Sequence, residues 1–265
     1  MKRHITQYKK LYLFILFAYL ISWTSLLADQ TEYNFFFFLA KFGFTLSAIL
    51  VIIITRDRPS KNNILLYFSR FKWSYLLVGL SPLLAYVISI LILVPFNELQ
   101  IVTNKGLLEW FYILLIAPSS GILFYSLFRG GLGEEIGLRG FILPFLANKK
   151  SLFTSSFIIG IFWAVWHYPV WVPNGLLNLI AGTLATIAWS GIFTYLFAKT
   201  RSLGLVILLH ATGNASDDIL EWILPSITGF DWEIIYILMV IVTGIIAFVF
   251  LFKLPNPFQK SEDTI

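Results

Sequence analysis

The sequence predicts an all-α fold: a polytopic bundle of about eight transmembrane helices. Three observations predict it. Hydrophobic residues make up 58% of the 265 and charged residues only 12%, where soluble domains carry about a quarter charged. Apolar runs close to the ~20 residues that cross a hydrocarbon core recur from one end to the other. The basic residues gather in alternate loops, which is the positive-inside pattern of a multi-pass chain.

Taken in order, the first run is 11–28. Lys2, Arg3, Lys9 and Lys10 precede it, but it is long for a secretory signal and has no small-x-small cleavage site, so it reads as an uncleaved anchor. Runs 34–55 and 74–96 follow, with the stretch 55–73 between them read as a loop. FFFF at 35–38 is a lipid-facing or packing run. Then come a long segment within 107–147 and four more runs, at 153–172, 176–198, 203–223 and 232–252. With the N-terminus inside, the first tail, the loop with Arg56, Arg58, Lys61, Arg70 and Lys72, then Lys149/Lys150, Lys199/Arg201 and Lys253/Lys260 all fall on one side. Both termini are then cytoplasmic. This distribution accounts for the net charge of +5 through the bilayer surface, and no nucleic-acid partner is implied. The chain has no cysteine, which excludes disulfides and thiolate metal sites.

The long segment is the exception. Two full crossings within it would move Lys149/Lys150 and Lys199/Arg201 to the outside, so one net crossing fits. Yet 107–147 as one helix would extend ~60 Å, too far for a single span. A break is expected at Gly130-Gly131-Leu132-Gly133, with Glu134 opening a half-helix that runs to Lys149 from near mid-membrane.

Ionisable groups within spans cost about 2.5–3.5 kcal/mol each on insertion scales and mark function by default. Lys41 can snorkel, and Arg129 sits by the glycine break. Glu135 and Arg139 are four apart and face each other, which predicts an ion pair, while Glu134 points about 100° away with no partner on its own helix. The paired Glu135 suits an orienting role; the desolvated Glu134 suits a general base or acid. The alternative is a structural charge cluster that pins the broken helix.

His167 lies ~21 Å along its helix and Glu134 ~20 Å from the end of its own, so the two share a depth. Trp163, one turn before His167, offers an aromatic wall, and Pro169 and Pro173 loosen the helix beyond it. His210 and Asn214 are four apart, with Asp217 three further on, so that helix carries a polar face at the same layer. Helix-to-helix hydrogen bonding is the other use for such groups. So is the use of Thr183, Thr186, Ser190 and Thr194, a polar stripe that suits either substrate access or close helix packing. A cavity with one carboxylate, two imidazoles and an amide can activate water and stabilise an oxyanion. Glu134, His167 and His210 would equally make a two-histidine, one-carboxylate site for Zn2+.

These motifs resemble the CPBP family of intramembrane proteases, related to type II CAAX prenyl endopeptidases and to bacteriocin-processing and self-immunity proteins. Glu134-Glu135-Ile136-Gly137-Leu138-Arg139 matches its EExxxR, and His210 to Asn214 its HxxxN. Its FxxxH is met at His167 with Trp163 in place of the phenylalanine. The resemblance covers residues ~108–223 and implies a core at 107–223 between a three-span region, 1–106, and a last span with tail, 224–265. It implies that Glu134 with His167 activates water, that His210 with Asn214 stabilises the oxyanion or shares in metal binding, and that Glu135 orients the site through Arg139. Substrates would be membrane-embedded or lipidated peptides. No HExxH, GxSG or GxGD motif is present, which sets aside other intramembrane protease types. A non-catalytic immunity or scaffold protein, and a proton-coupled transporter using Glu134 and the histidines, are the competing readings.

Overall fold

The computed structural model describes residues 2–28, 35–85, 123–223 and 232–259. Among these, every regular element is helical. The expected third run is described only to residue 85, and the first part of the long segment, 107–122, lies outside the described residues.

Helix α1 spans Lys2–Ala28, longer than the first apolar run because its basic start continues the same helix. The second run is divided into α2, Phe35–Lys41, and α3, Gly43–Thr55, with Phe42 between them. The joint lies where α1 comes closest: a Cβ on Gly43 would strike the Ser22 hydroxyl. Ser22 Oγ donates to the Ala40 carbonyl at 2.7 Å, and Ser47 Oγ to the Phe14 carbonyl at 2.5 Å. Small polar side chains thus seal the α1–α3 contact, as they do between helices in lipid.

The stretch expected as a loop holds helix α4, Arg58–Ser69. Its start was legible: Asp57 caps it, accepting from Ser60 N at 3.3 Å and Ser60 Oγ at 2.7 Å, and Pro59 stands in its first turn. Composition concealed it, because α4 opens with Arg58, Lys61 and two asparagines before the exposed Leu65 and Leu66 instead of forming an apolar run. Such a helix suits a membrane surface. A short turn of helix, α5 at Tyr75–Gly79, follows.

Helix α6, residues 123–147, carries both glutamates, and it corrects the expected half-helix. The backbone stays helical throughout, and the interruption takes the form of two π-helical stretches, Leu127–Leu132 and Ile136–Ile142, on either side of the α-turn Gly133–Glu135. The wider turns disrupt the regular carbonyl pairing, and Thr45 Oγ1 of α3 donates to the Leu132 carbonyl at 2.7 Å. The glycines serve contact instead of a break. A Cβ on Gly133 would run into the Lys41 carbonyl and one on Gly137 into the Phe44 carbonyl, so α6 lies directly against the end of α2 and the start of α3.

Helices α7, Leu152–Trp171, α8, Leu176–Thr200, α9, Leu203–Ile223, and α10, Trp232–Lys253, follow the sequence expectation closely. Pro169 is accommodated within α7, which ends in a 3-10 turn, Val172–Asn174. Tyr19 and Trp23 of α1 donate to the carbonyls of Phe162 and Trp166, which holds α7 beside α1. Ser190 donates to the Ser156 carbonyl at 2.8 Å, and Thr186, Ser190 and Thr194 are buried. The polar stripe of α8 therefore packs helices together. Among the described residues, three helices are long and apolar enough to cross a bilayer: Tyr8–Leu26, Leu152–Asn174 and Leu176–Thr200. Shorter apolar helices at Gly43–Thr55, Leu203–Ser216 and Leu238–Lys253 complete the helical bundle.

Candidate active site

Three helices meet where the polar side chains were expected to share a depth. Glu134, Glu135 and Arg139 come from α6, Trp163 and His167 from α7, and His210 and Asn214 from α9. Glu134 is 3% exposed, His210 5%, and Glu135 and Arg139 fully buried. The predicted ion pair is present, with Arg139 Nη1 donating to Glu135 Oε1 at 3.1 Å.

Glu135 has a second partner that sequence spacing could not show. His210 Nδ1 bonds the same oxygen at 2.7 Å. Glu135 therefore orients the histidine directly and does not act only through Arg139. The Nδ1–H to carboxylate bond fixes the ring and turns Nε2 toward α6. A Cβ on Gly130 would lie 2.9 Å from His210 Nε2 and would collide with Asn214 Nδ2. Both nitrogens thus lie over one glycine, which leaves a bare backbone where any side chain would fill the space.

Arg139 is held by rings as much as by its ion pair. Its guanidinium carbon lies 5.0 Å from the Trp163 ring and 5.1 Å from that of Phe193. Among the described residues Arg139 Nε and Nη2 have no hydrogen-bond partner, and the two aromatic faces supply the compensating cation–π attraction. Phe193 also stacks on His210, with centroids 5.2 Å apart. Phe193 was missed by the sequence reading, where it is one more aromatic residue in an apolar run.

Glu134 is also partnered, contrary to its isolation on its own helix: it accepts a hydrogen bond from the Trp163 indole N–H. His167 Nδ1 bonds the Trp163 carbonyl at 2.9 Å, and its ring stacks on Trp171 with centroids 4.8 Å apart. The structure therefore joins Glu135, Arg139, His210 and Asn214 closely, and links Glu134 and His167 to them through Trp163. The side chain of Asp217 lies outside the described residues.

The three residues offered to zinc do not form a chelating set in this arrangement. Among the described residues no three His, Asp or Glu side chains converge closely enough to hold a metal ion. Glu134 Oε2 is engaged by an indole, and His210 Nδ1 by Glu135.

Residues 117–216 match the family model of Rce1-like type II CAAX prenyl endopeptidases. All six motif residues fall inside that segment. That segment is similar to the CPBP family. A CAAX prenyl protease 2 of Methanococcus maripaludis is 32% identical over 98 residues, covering 33% of this chain and 36% of that protein. The chain thus spans little more than a third of the curated relative it matches. Its apolar helices and the similarity of residues 117–216 to a membrane protease family support an integral membrane protein.

Proposed function

We propose that this protein is an intramembrane endopeptidase that hydrolyses a peptide bond of a membrane-associated or lipidated protein, with both termini on the cytoplasmic side. The observation that carries the reading is the grouping of a buried carboxylate, Glu134, with two nitrogens, His210 Nε2 and Asn214 Nδ2, set over the bare backbone of Gly130. An attacking water gives its proton to Glu134 as its oxygen bonds the carbonyl carbon. The carbonyl oxygen becomes an oxyanion that accepts hydrogen bonds from Asn214 Nδ2 and from His210 Nε2–H, the ring acting as imidazolium with Nδ1 on Glu135. Collapse of the tetrahedral intermediate breaks the C–N bond, and the leaving amine takes the proton from Glu134. His167, whose Nδ1 is engaged by the Trp163 carbonyl, assists the water from α7.

The similarity to the CAAX prenyl protease 2 of Methanococcus makes a prenylated C-terminal peptide the first probe. A quenched fluorescent farnesylated CAAX peptide, offered to the protein in nanodiscs, should be cleaved. Glu134→Gln should lower kcat by about 10²–10⁴-fold and Asn214→Ala by about 10²–10³-fold, both with unchanged melting temperature. Full activity of Glu134→Gln would remove the hydrolytic reading and favour a scaffold. Metal analysis of the same preparation, before and after chelation, separates a zinc enzyme from a glutamate one: loss of bound zinc together with activity would bring the metal back into the reaction.

A further inference from the structure

Trp163 occupies the place where the EExxxR, WxxxH and HxxxN segments come together. Its indole N–H donates to Glu134 Oε2. One face of its ring covers the Arg139 guanidinium at 5.0 Å. Its edge meets His210, with centroids 5.3 Å apart. Its carbonyl accepts from His167 Nδ1 at 2.9 Å. It is 4% exposed, so these bonds are formed out of water, where an oriented donor counts for most.

We infer that Trp163 is a positioning residue: its indole N–H fixes the rotation of the Glu134 carboxylate so that the other oxygen faces the attacking water. The inference rests on the endopeptidase reading and goes beyond it, because a phenylalanine at this position, as in the FxxxH pattern, supplies the ring but no donor. The bond that Glu134 Oε2 accepts comes from a different helix, α7. A carboxylate held by one oxygen keeps its second oxygen in a fixed direction, and a misplacement of about 1 Å at a reacting group costs on the order of 10²-fold in rate. The ring alone would still screen Arg139 and pack on His210. The N–H is the separable part.

The test replaces that N–H and little else. Trp163 is exchanged for 3-benzothienylalanine, which keeps the bicyclic ring with sulfur in place of N–H, and in a second protein for phenylalanine. Both are measured in nanodiscs on the farnesylated CAAX peptide beside wild type and Glu134→Gln. The expected result is a kcat about 10- to 100-fold lower in both, with KM and melting temperature unchanged in the benzothienyl protein. A benzothienyl protein with wild-type kcat, while Glu134→Gln stays inactive, overturns the positioning role and leaves the functional reading intact. A loss of kcat matched by a fall in melting temperature also overturns it, since Trp163 would then serve packing alone. A fully active Glu134→Gln overturns both readings together.

Discussion

Arg139 is a buried cation that, among the described residues, has one ion-pair bond, to Glu135, and two guanidinium nitrogens without a hydrogen-bond partner, beside two aromatic rings. Taking one charge from such a pair strands the other, at a cost of about 3–5 kcal/mol. Arg139→Leu should therefore lower the melting temperature sharply in detergent, and Glu135→Met added to it should recover much of the loss. Recovery of stability without activity is the expected outcome, because Glu135 also holds His210. At this scale the sequence was informative wherever both partners stand on one helix. The Glu135–Arg139 pair followed from a four-residue spacing. The His210–Glu135 and Trp163–Glu134 bonds did not, since each joins residues far apart in the chain whose meeting depends on how helices pack.

Among the elements, α4 shows how a local cap couples to long-range charge. Asp57 caps α4 through Ser60 and also accepts from Lys10 Nζ of α1 at 2.6 Å. Burial by itself raises the Asp57 carboxyl, but the bonds from Lys10 and Ser60 outweigh it and hold it below the ordinary carboxylate value. A folded value below the unfolded one gives stability that is complete above the ordinary carboxylate range and is lost as pH falls through the folded value. Asp57→Asn should accordingly melt lower than wild type at pH 7, by a cost on the order of 1 kcal/mol. The gap should close on titration below about pH 4; a gap that persists at pH 2 would assign the effect to packing. Helix α6 teaches the complementary lesson. A run of glycines beside two glutamates reads as a break, yet neighbouring backbones at Lys41 and Phe44 require those glycines for contact. The helix bends its hydrogen bonding into π-turns without ending.

For the molecule as a whole, orientation is the property that the charge distribution predicts and that labelling can check. The native chain has no cysteine, so single-cysteine variants at Lys61, Lys150 and Lys253 each report one position. All three should react with a membrane-impermeant maleimide from the cytoplasmic side only. Labelling of any one from the opposite side would break the topology. The three positions, in α4, after α6 and at the end of α10, lie far apart in the chain, so agreement among them constrains several crossings at once.

Composition alone determined the solvent: a chain so apolar can bury its surface only in lipid, and helices are the open-ended structures that satisfy their own backbone there. Motif spacing determined which polar side chains share a helical face, since that depends only on the 3.6-residue period. The tertiary structure decided the partners across helices. It set His210 on Glu135, the Trp163 indole on Glu134, and Phe193 between Arg139 and His210. Those choices depend on the crossing and rotation of whole helices, which close contacts at glycines help fix and which no periodicity in the chain encodes.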